Sequence, residues 1–363
     1  MQKNKFKKYI TTNNLLILYI FLICIVPFFD YTLIGYLGIS TTRGYLLTFG
    51  LYFSMAFGIF IGNNFGKYIK KRRLVNNQLL EISLFYIPLL AISGMIGIAL
   101  FTFKPGLTFE YQPYMEFAEY LKGRAIIHLL PAGLVYKLNT NSINKRTLYY
   151  TVIIAILYVF LYGERAYIVP FCGILLINLN RKNLLNFGKL INYTFYSIFI
   201  FILVELSRSW VVVRLVANEL NLFEAIRLSF LRLGVYYADT FFKISACLDN
   251  TQYNSIMKGC RSVSLDWYTT TLTNRGFISY IFPNLPYLYI LALLFIFSYI
   301  TSKIIKSYEK SNYLGWDSLI APYLFTAFIE IPRWDYPLRI RFWMIFPILI
   351  FLSYTSSKSE YYE

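Results

Sequence analysis

Histidine, cysteine and acidic residues are scarce in this chain, and each scarcity removes a class of function. A single histidine in 363 residues, His128, leaves no histidine cluster to hold a metal. The four cysteines show no Cys-x-x-Cys or Cys/His spacing of a zinc site, and they are too few to define a disulfide framework. Cys24 and Cys172 fall in apolar runs and read as small buried residues, whereas Cys247 and Cys260 share one polar interval and can pair if it lies outside the cytoplasm. Asp and Glu number 18 against 35 Lys and Arg, a formal net charge of +17. That balance points to nucleic acid in a soluble protein. Here the lysines cluster between apolar segments, as cytoplasmic flanking charge does, so nucleic acid is set aside as a partner. No solenoid-type repeat is present.

What is abundant is apolar and aromatic: 57% of residues are hydrophobic, 20% aromatic and only 15% charged, and the mean hydropathy is +0.52. This composition predicts an all-α, polytopic integral membrane protein. Met1–Lys8 carries four lysines before an apolar run with no small-residue cleavage site, the pattern of a retained signal anchor.

A spanning helix needs about 20 mostly apolar residues, and Lys/Arg excess marks the cytoplasmic side. Ten segments meet this reading: Leu15–Phe29, Tyr45–Gly62, Leu79–Phe103, Arg124–Tyr136, Thr147–Tyr162, Tyr167–Leu179, Leu190–Leu206, Gly276–Thr301, Trp316–Ile331 and Ile340–Tyr354. The cluster Lys67, Lys70, Lys71, Arg72 and Arg73 fixes the inner side, and both termini fall there. Pro283 and Pro286 are expected to kink the first turns of the eighth segment. The layout is therefore residues 1–206 with seven spans, an extracytoplasmic loop at 207–275 with amphipathic helices, and 276–363 with three more spans, all one membrane domain.

With this topology the basic residues sort by type. The inner side holds 15 Lys and 4 Arg, and the outer side 4 Lys and 12 Arg. Topology signals require positive charge only, so the outer preference for arginine needs another cause. Arginine offers a planar fork of donors that grips carboxylate or phosphate bidentately. Arg124, Arg165, Arg208, Arg214, Arg232, Arg261 and Arg275 thus form a candidate binding set for an anion at the lipid surface. Taken one at a time, these arginines have a plainer reading as partners of nearby carboxylates or lipid headgroups.

Within the long interval, Leu220, Phe223, Ile226, Phe230 and Leu233 predict an amphipathic helix over Asn218–Leu233, broken by Gly234 and followed by Tyr236, Tyr237 and Asp239. Aromatics beside a carboxylate suit a sugar, though interfacial tyrosines are common in membrane proteins. Gly163-Glu164-Arg165-Ala166 joins two apolar segments by a tight outer turn, which puts an ionisable pair at the mouth of the bundle. His128 lies four residues after Arg124, on the same face of the fourth segment, and reads either as a packed side chain or as a base for a sugar hydroxyl.

Ten spans, one late extracytoplasmic loop, the Gly-x-Arg turn at Gly163–Arg165 and arginines across the outer face give the chain a layout that resembles bacterial O-antigen polymerases of the Wzy type. The resemblance implies a GT-C-like membrane glycosyltransferase in the bacterial plasma membrane. Such an enzyme joins oligosaccharide repeat units carried on undecaprenyl diphosphate into lipopolysaccharide O-antigen or capsule, without cofactor or metal. It implies His128, Glu164 and Asp239 as candidate catalytic residues, the seven arginines with Tyr236 and Tyr237 as substrate contacts, and a chain-length regulator protein as a partner beside the lipid-linked substrate and the bilayer. The related ligases use a loop histidine, and the long loop here contains none. A lipid-linked oligosaccharide flippase is the rival of another class; transporters tend to show paired halves, whereas this chain concentrates charge in one asymmetric loop.

The topology itself is testable. Reporter fusions at Lys71, Lys182 and Lys306 are expected to read cytoplasmic, and fusions at Gly106 and Ser262 extracytoplasmic. An inner signal at Ser262 would overturn the sidedness on which the arginine argument rests.

Overall fold

An apolar run in hydrocarbon has no water to satisfy its amides and carbonyls, so it must bond them within itself, and the helix does this locally. A computed structural model of the chain describes residues 11–29, 42–65, 78–102, 129–139, 144–162, 173–174, 176–177, 187–206, 219, 221–227, 285–310 and 317–331. Among these residues every regular element is helical and there is no strand. The helices are α1 (Thr12–Phe29), α2 (Thr42–Phe65), α3 (Gln78–Glu81, then a π-helical turn Ile82–Tyr86, then Ile87–Thr102), α4 (Leu130–Asn139), α5 (Lys145–Tyr162), α6 (Phe187–Leu206), α7 (Tyr287–Lys310) and α8 (Asp317–Glu330). Among the described residues three stretches, Leu46–Phe65, Gln78–Ile98 and Tyr287–Glu309, are long and apolar enough to cross a membrane. Thr12–Ile25 and Ile320–Ile329 are shorter apolar helices.

Helix starts follow caps rather than the first apolar residue. The periodicity predicts α1 from Leu15, but the helix begins three residues earlier, at Thr12, because Thr11 caps it: the Thr11 hydroxyl accepts from Asn14 N–H at 3.2 Å and its carbonyl from Leu15 N–H at 3.1 Å. Asn144 does the same for α5, accepting from Thr147 N–H at 2.7 Å. In the long interval, Asn221 and Glu224 form a reciprocal capping box, with Glu224 N–H donating to Asn221 Oδ1 at 2.8 Å and Asn221 N–H to Glu224 Oε2 at 3.0 Å. The helical piece at 222–227 accordingly begins four residues later than the periodicity over Asn218–Leu233 predicts, and Glu219 lies in a bend. Pro286 corrects another expectation: it precedes α7, and its carbonyl accepts from Tyr289 and Ile290 N–H at 3.0 and 3.2 Å, so it starts the helix instead of kinking it.

The chain divides into two compact units, Met1–Ile69 with Leu231–Lys310 and Leu324–Met344, and Lys70–Phe230 with Ser311–Tyr323 and Ile345–Glu363. In the first, α2 and α7 are pressed together along their length. Gly50, Ser54, Gly58 and Gly62 recur every four residues on α2, a stripe of small side chains that lets two backbones approach. A Cβ on Gly58 would sit 2.6 Å from the Phe295 carbonyl oxygen and 2.9 Å from Ser298 Cβ; one on Gly62 would sit 2.7 Å from the Tyr299 carbonyl oxygen. The Ser54 hydroxyl donates to the Leu291 carbonyl at 2.8 Å, and the Ser302 hydroxyl to the Ile59 carbonyl at 2.9 Å. Contact positions rise together on both helices, so α2 and α7 run in the same direction.

α1 runs the other way. Its first residue, Thr12, donates its amide and hydroxyl to the Glu309 carboxylate near the end of α7. Asn13 donates to Asn63 Oδ1 and to the Ser302 carbonyl, both at 3.2 Å. A carboxylate at a helix N-terminus meets the positive end of the dipole and the otherwise orphaned amides. Leu16, Ile20 and Ile23 of α1 are buried in this unit, as are Leu51, Tyr52, Met55 and Ile59 of α2 and Ile290 and Leu294 of α7. The opposite faces expose Leu18, Phe21, Phe53, Phe60, Leu288 and Ile296, the arrangement of helices whose solvent is lipid.

The contact at Gly58 predicts a contrast between glycines. Gly58→Leu is expected to lower stability in detergent by about 1–3 kcal/mol or more through overpacking. Gly97→Leu should be near neutral, because a Cβ on Gly97 meets nothing within 4 Å. Thermal unfolding of the two purified variants would read the difference, and equal melting temperatures would refute the close approach.

Candidate functional site

The most constrained polar cluster among the described residues lies in the second unit, where α4 packs antiparallel onto the start of α3. The π turn of α3 closes with Ile87 N–H donating to the Ile82 carbonyl, an i to i+5 bond. This wider turn brings Tyr86 roughly into line with Glu81, which an α-helical turn would not. α4 meets the turn at Gly133, where a Cβ would lie 2.7 Å from Phe85 Cα and closer still to the Leu84 carbonyl. Only glycine fits there.

Lys137 stands four residues beyond Gly133, on the same face of α4. Its ammonium donates to the Glu81 carboxylate and, at 2.7 Å, to the Tyr86 hydroxyl. It also lies 4.3 Å from the Tyr86 ring centroid and 4.8 Å from that of Phe85. The two rings meet edge to face at 5.3 Å. The Lys137 side chain is 2% exposed and that of Glu81 16%, so the pair is held almost out of contact with solvent. At the other end of α4, the amide of Ala132 donates to the buried Tyr323 hydroxyl at 3.2 Å. The cluster leaves Lys137 compensated, with its charge in the last turn of α4, where the helix dipole favours a cation. Chemically it is a lock on α4, the helix that begins two residues after His128.

The residues singled out from the sequence fall elsewhere. His128, Glu164 and Asp239, the arginines 124, 165, 208, 214, 232, 261 and 275, Tyr236 and Tyr237, and the pair Cys247 and Cys260 all lie outside the described residues. Arg227 is described and is exposed. Among the described residues no group of three or more His, Cys, Asp or Glu side chains is arranged to hold a metal. Glu81, Tyr86 and Lys137 are not among the residues that the sequence singles out. The available signal was Glu81 at the edge of an apolar segment, where an ionisable residue needs a partner.

A buried ion pair is costly to break from one side, because the surviving charge is left uncompensated. Lys137→Met is expected to destabilise the protein by about 3–5 kcal/mol, and the double variant Glu81→Leu with Lys137→Met by less than the single change. Unfolding of both in detergent checks this; a double variant as unstable as the sum of its singles would show that the two residues act independently. Set against protein-family models, curated proteins and solved structures, the chain matches none.

Proposed function

We propose that this protein is a membrane glycosyltransferase that polymerises oligosaccharide repeat units carried on undecaprenyl diphosphate, at the outer leaflet of a bacterial plasma membrane. The observation that carries this reading is the sorting of arginine to the outer segment ends and lysine to the inner ones. Lysine suffices for topology. Arginine on the other side is the residue type for an anionic group at the interface, and a lipid diphosphate with a projecting sugar is such a group.

In the reaction, the hydroxyl of one repeat unit attacks the anomeric carbon of another, and the carbon–oxygen bond to the diphosphate breaks. The hydroxyl proton passes to a base, for which His128, Glu164 and Asp239 are the candidates. The departing undecaprenyl diphosphate keeps the electron pair, and Arg165, Arg214, Arg232 and Arg275 stabilise its developing charge. In this enzyme ten spans carry cytoplasmic termini and the large loop at 207–275 faces out. The helix directions in the first unit support this topology, which needs the first segment to run opposite to the second and the eighth; α1 runs opposite to α2 and α7.

The test is complementation of a deletion strain, read as the surface polysaccharide ladder on a gel. Deletion is expected to leave single repeat units without long chains, and the parent gene to restore the ladder. Each of the Arg→Lys changes at 165, 214, 232 and 275 removes a bidentate contact of about 1.5–3 kcal/mol and should shorten or abolish the ladder at unchanged protein level. Four variants with parental ladders would refute the diphosphate clamp. A deletion strain with no surface units at all would instead mark a flippase.

A further inference from the structure

The close approach of α2 and α7 has a second product on its outer face. Because Gly58 lets the backbones meet, Phe57 of α2 reaches Phe295 of α7, with ring centroids 5.8 Å apart. Phe53 stacks on Phe57 at 6.3 Å and 5°, and Phe295 on Tyr299 at 6.5 Å and 15°. All of these separations lie within the range of aromatic pairs. The four rings form one ladder across two helices. At its end the Lys303 ammonium lies 5.6 Å from the Tyr299 centroid.

The ladder is not core. Phe53 and Phe57 are 60% and 46% exposed, and Phe295, Tyr299 and Lys303 are half-buried. At 1.5 Å of rise per residue it extends roughly 18 Å along the helices, near the roughly 15 Å depth of one leaflet of hydrocarbon. Among the described residues no carboxylate pairs with the Lys303 ammonium at the charged end of the ladder. Glu309 is engaged by Thr12, and the neighbouring Lys306 donates to the Asn63 carbonyl. An apolar track of leaflet depth that finishes at this ammonium is complementary to one occupant, a lipid with a single phosphate at its head.

We propose that the outer face of the α2–α7 pair is a binding site for an anionic phospholipid, with an acyl chain along Phe53, Phe57, Phe295 and Tyr299 and the phosphate at Lys303. The site is independent of the polymerase reading and serves whichever leaflet the Lys303 end faces. Arginine at 303 would keep the contact, and glutamine would lose it.

Two measurements on the full-length protein test the proposal. Spin-labelled phosphatidylglycerol and phosphatidylcholine would be compared for association with the reconstituted protein. The parent is expected to prefer phosphatidylglycerol, Lys303→Arg to retain that preference, and Lys303→Gln to reduce it by about fivefold, the effect of one basic residue at an anionic surface. Lys145→Gln removes the same charge from the exposed start of α5 and should leave the preference unchanged. In the parent, phosphatidylglycerol bearing a photoreactive group midway along its chain should label α2 and α7 near Phe57 and Phe295. Retained preference in Lys303→Gln, an equal fall in Lys145→Gln, labels confined to other helices, or chain-to-chain cross-links in place of lipid would each overturn it.

Discussion

The first unit depends on the contact between Gly58 and Gly62 of α2 and the backbone of α7 at Phe295 and Tyr299. In hydrocarbon, apolar surface gains little by leaving lipid for protein, so helices are held by close packing and by hydrogen bonds that have no water to compete with them. Both operate along this seam. The small-residue stripe brings the backbones together, and only then do the Ser54 and Ser302 hydroxyls reach carbonyls on the facing helix. The aromatic ladder on the outer face and the polar end at Asn13, Asn63 and Ser302 follow from the same approach.

The second unit solves its packing differently. Its close contact is a single glycine, Gly133, against a π turn, and the hydrogen bonds there centre on a charge. The π turn is the enabling irregularity: it lines up Glu81 and Tyr86 so that one ammonium serves both. A buried pair of this kind contributes less through net attraction than through the penalty for any arrangement that separates it. α4 is thereby fixed in rotation and register, which matters for a helix whose approach carries Arg124 and His128 in sequence.

Proposed chemistry and described structure meet through direction. A reaction on one face of a membrane requires that residues far apart in sequence reach the same side. Within the first unit α1 runs opposite to α2 and α7, the relative sense that the proposed alternation requires. The described residues therefore bear on the topology that the arginine argument uses, while the arginines themselves lie outside them.

Helical class and the approximate extent of α1, α2, α3, α5, α6 and α8 were legible in the sequence, because an apolar run satisfies its backbone by local bonds whatever surrounds it; α7 differs, running to Lys310 where the apolar pattern over Gly276–Thr301 predicts an end nine residues earlier. The starts of α1, α5 and the piece at 222–227 are marked in the sequence by the capping residues Thr11, Asn144 and Asn221. The sequence also determined the uneven sorting of arginine and lysine, a matter of order along the chain. Tertiary structure alone decided which glycines count: Gly58 and Gly97 both sit in apolar helices, yet one meets a neighbouring backbone and the other open space. It alone made Lys137 the centre of a buried cluster, since Glu81 is 56 residues away. The physical reason is the same in both cases. Helix formation is settled by neighbours in sequence, whereas the face a helix buries, and the partner it finds there, depend on a surface that another part of the chain supplies.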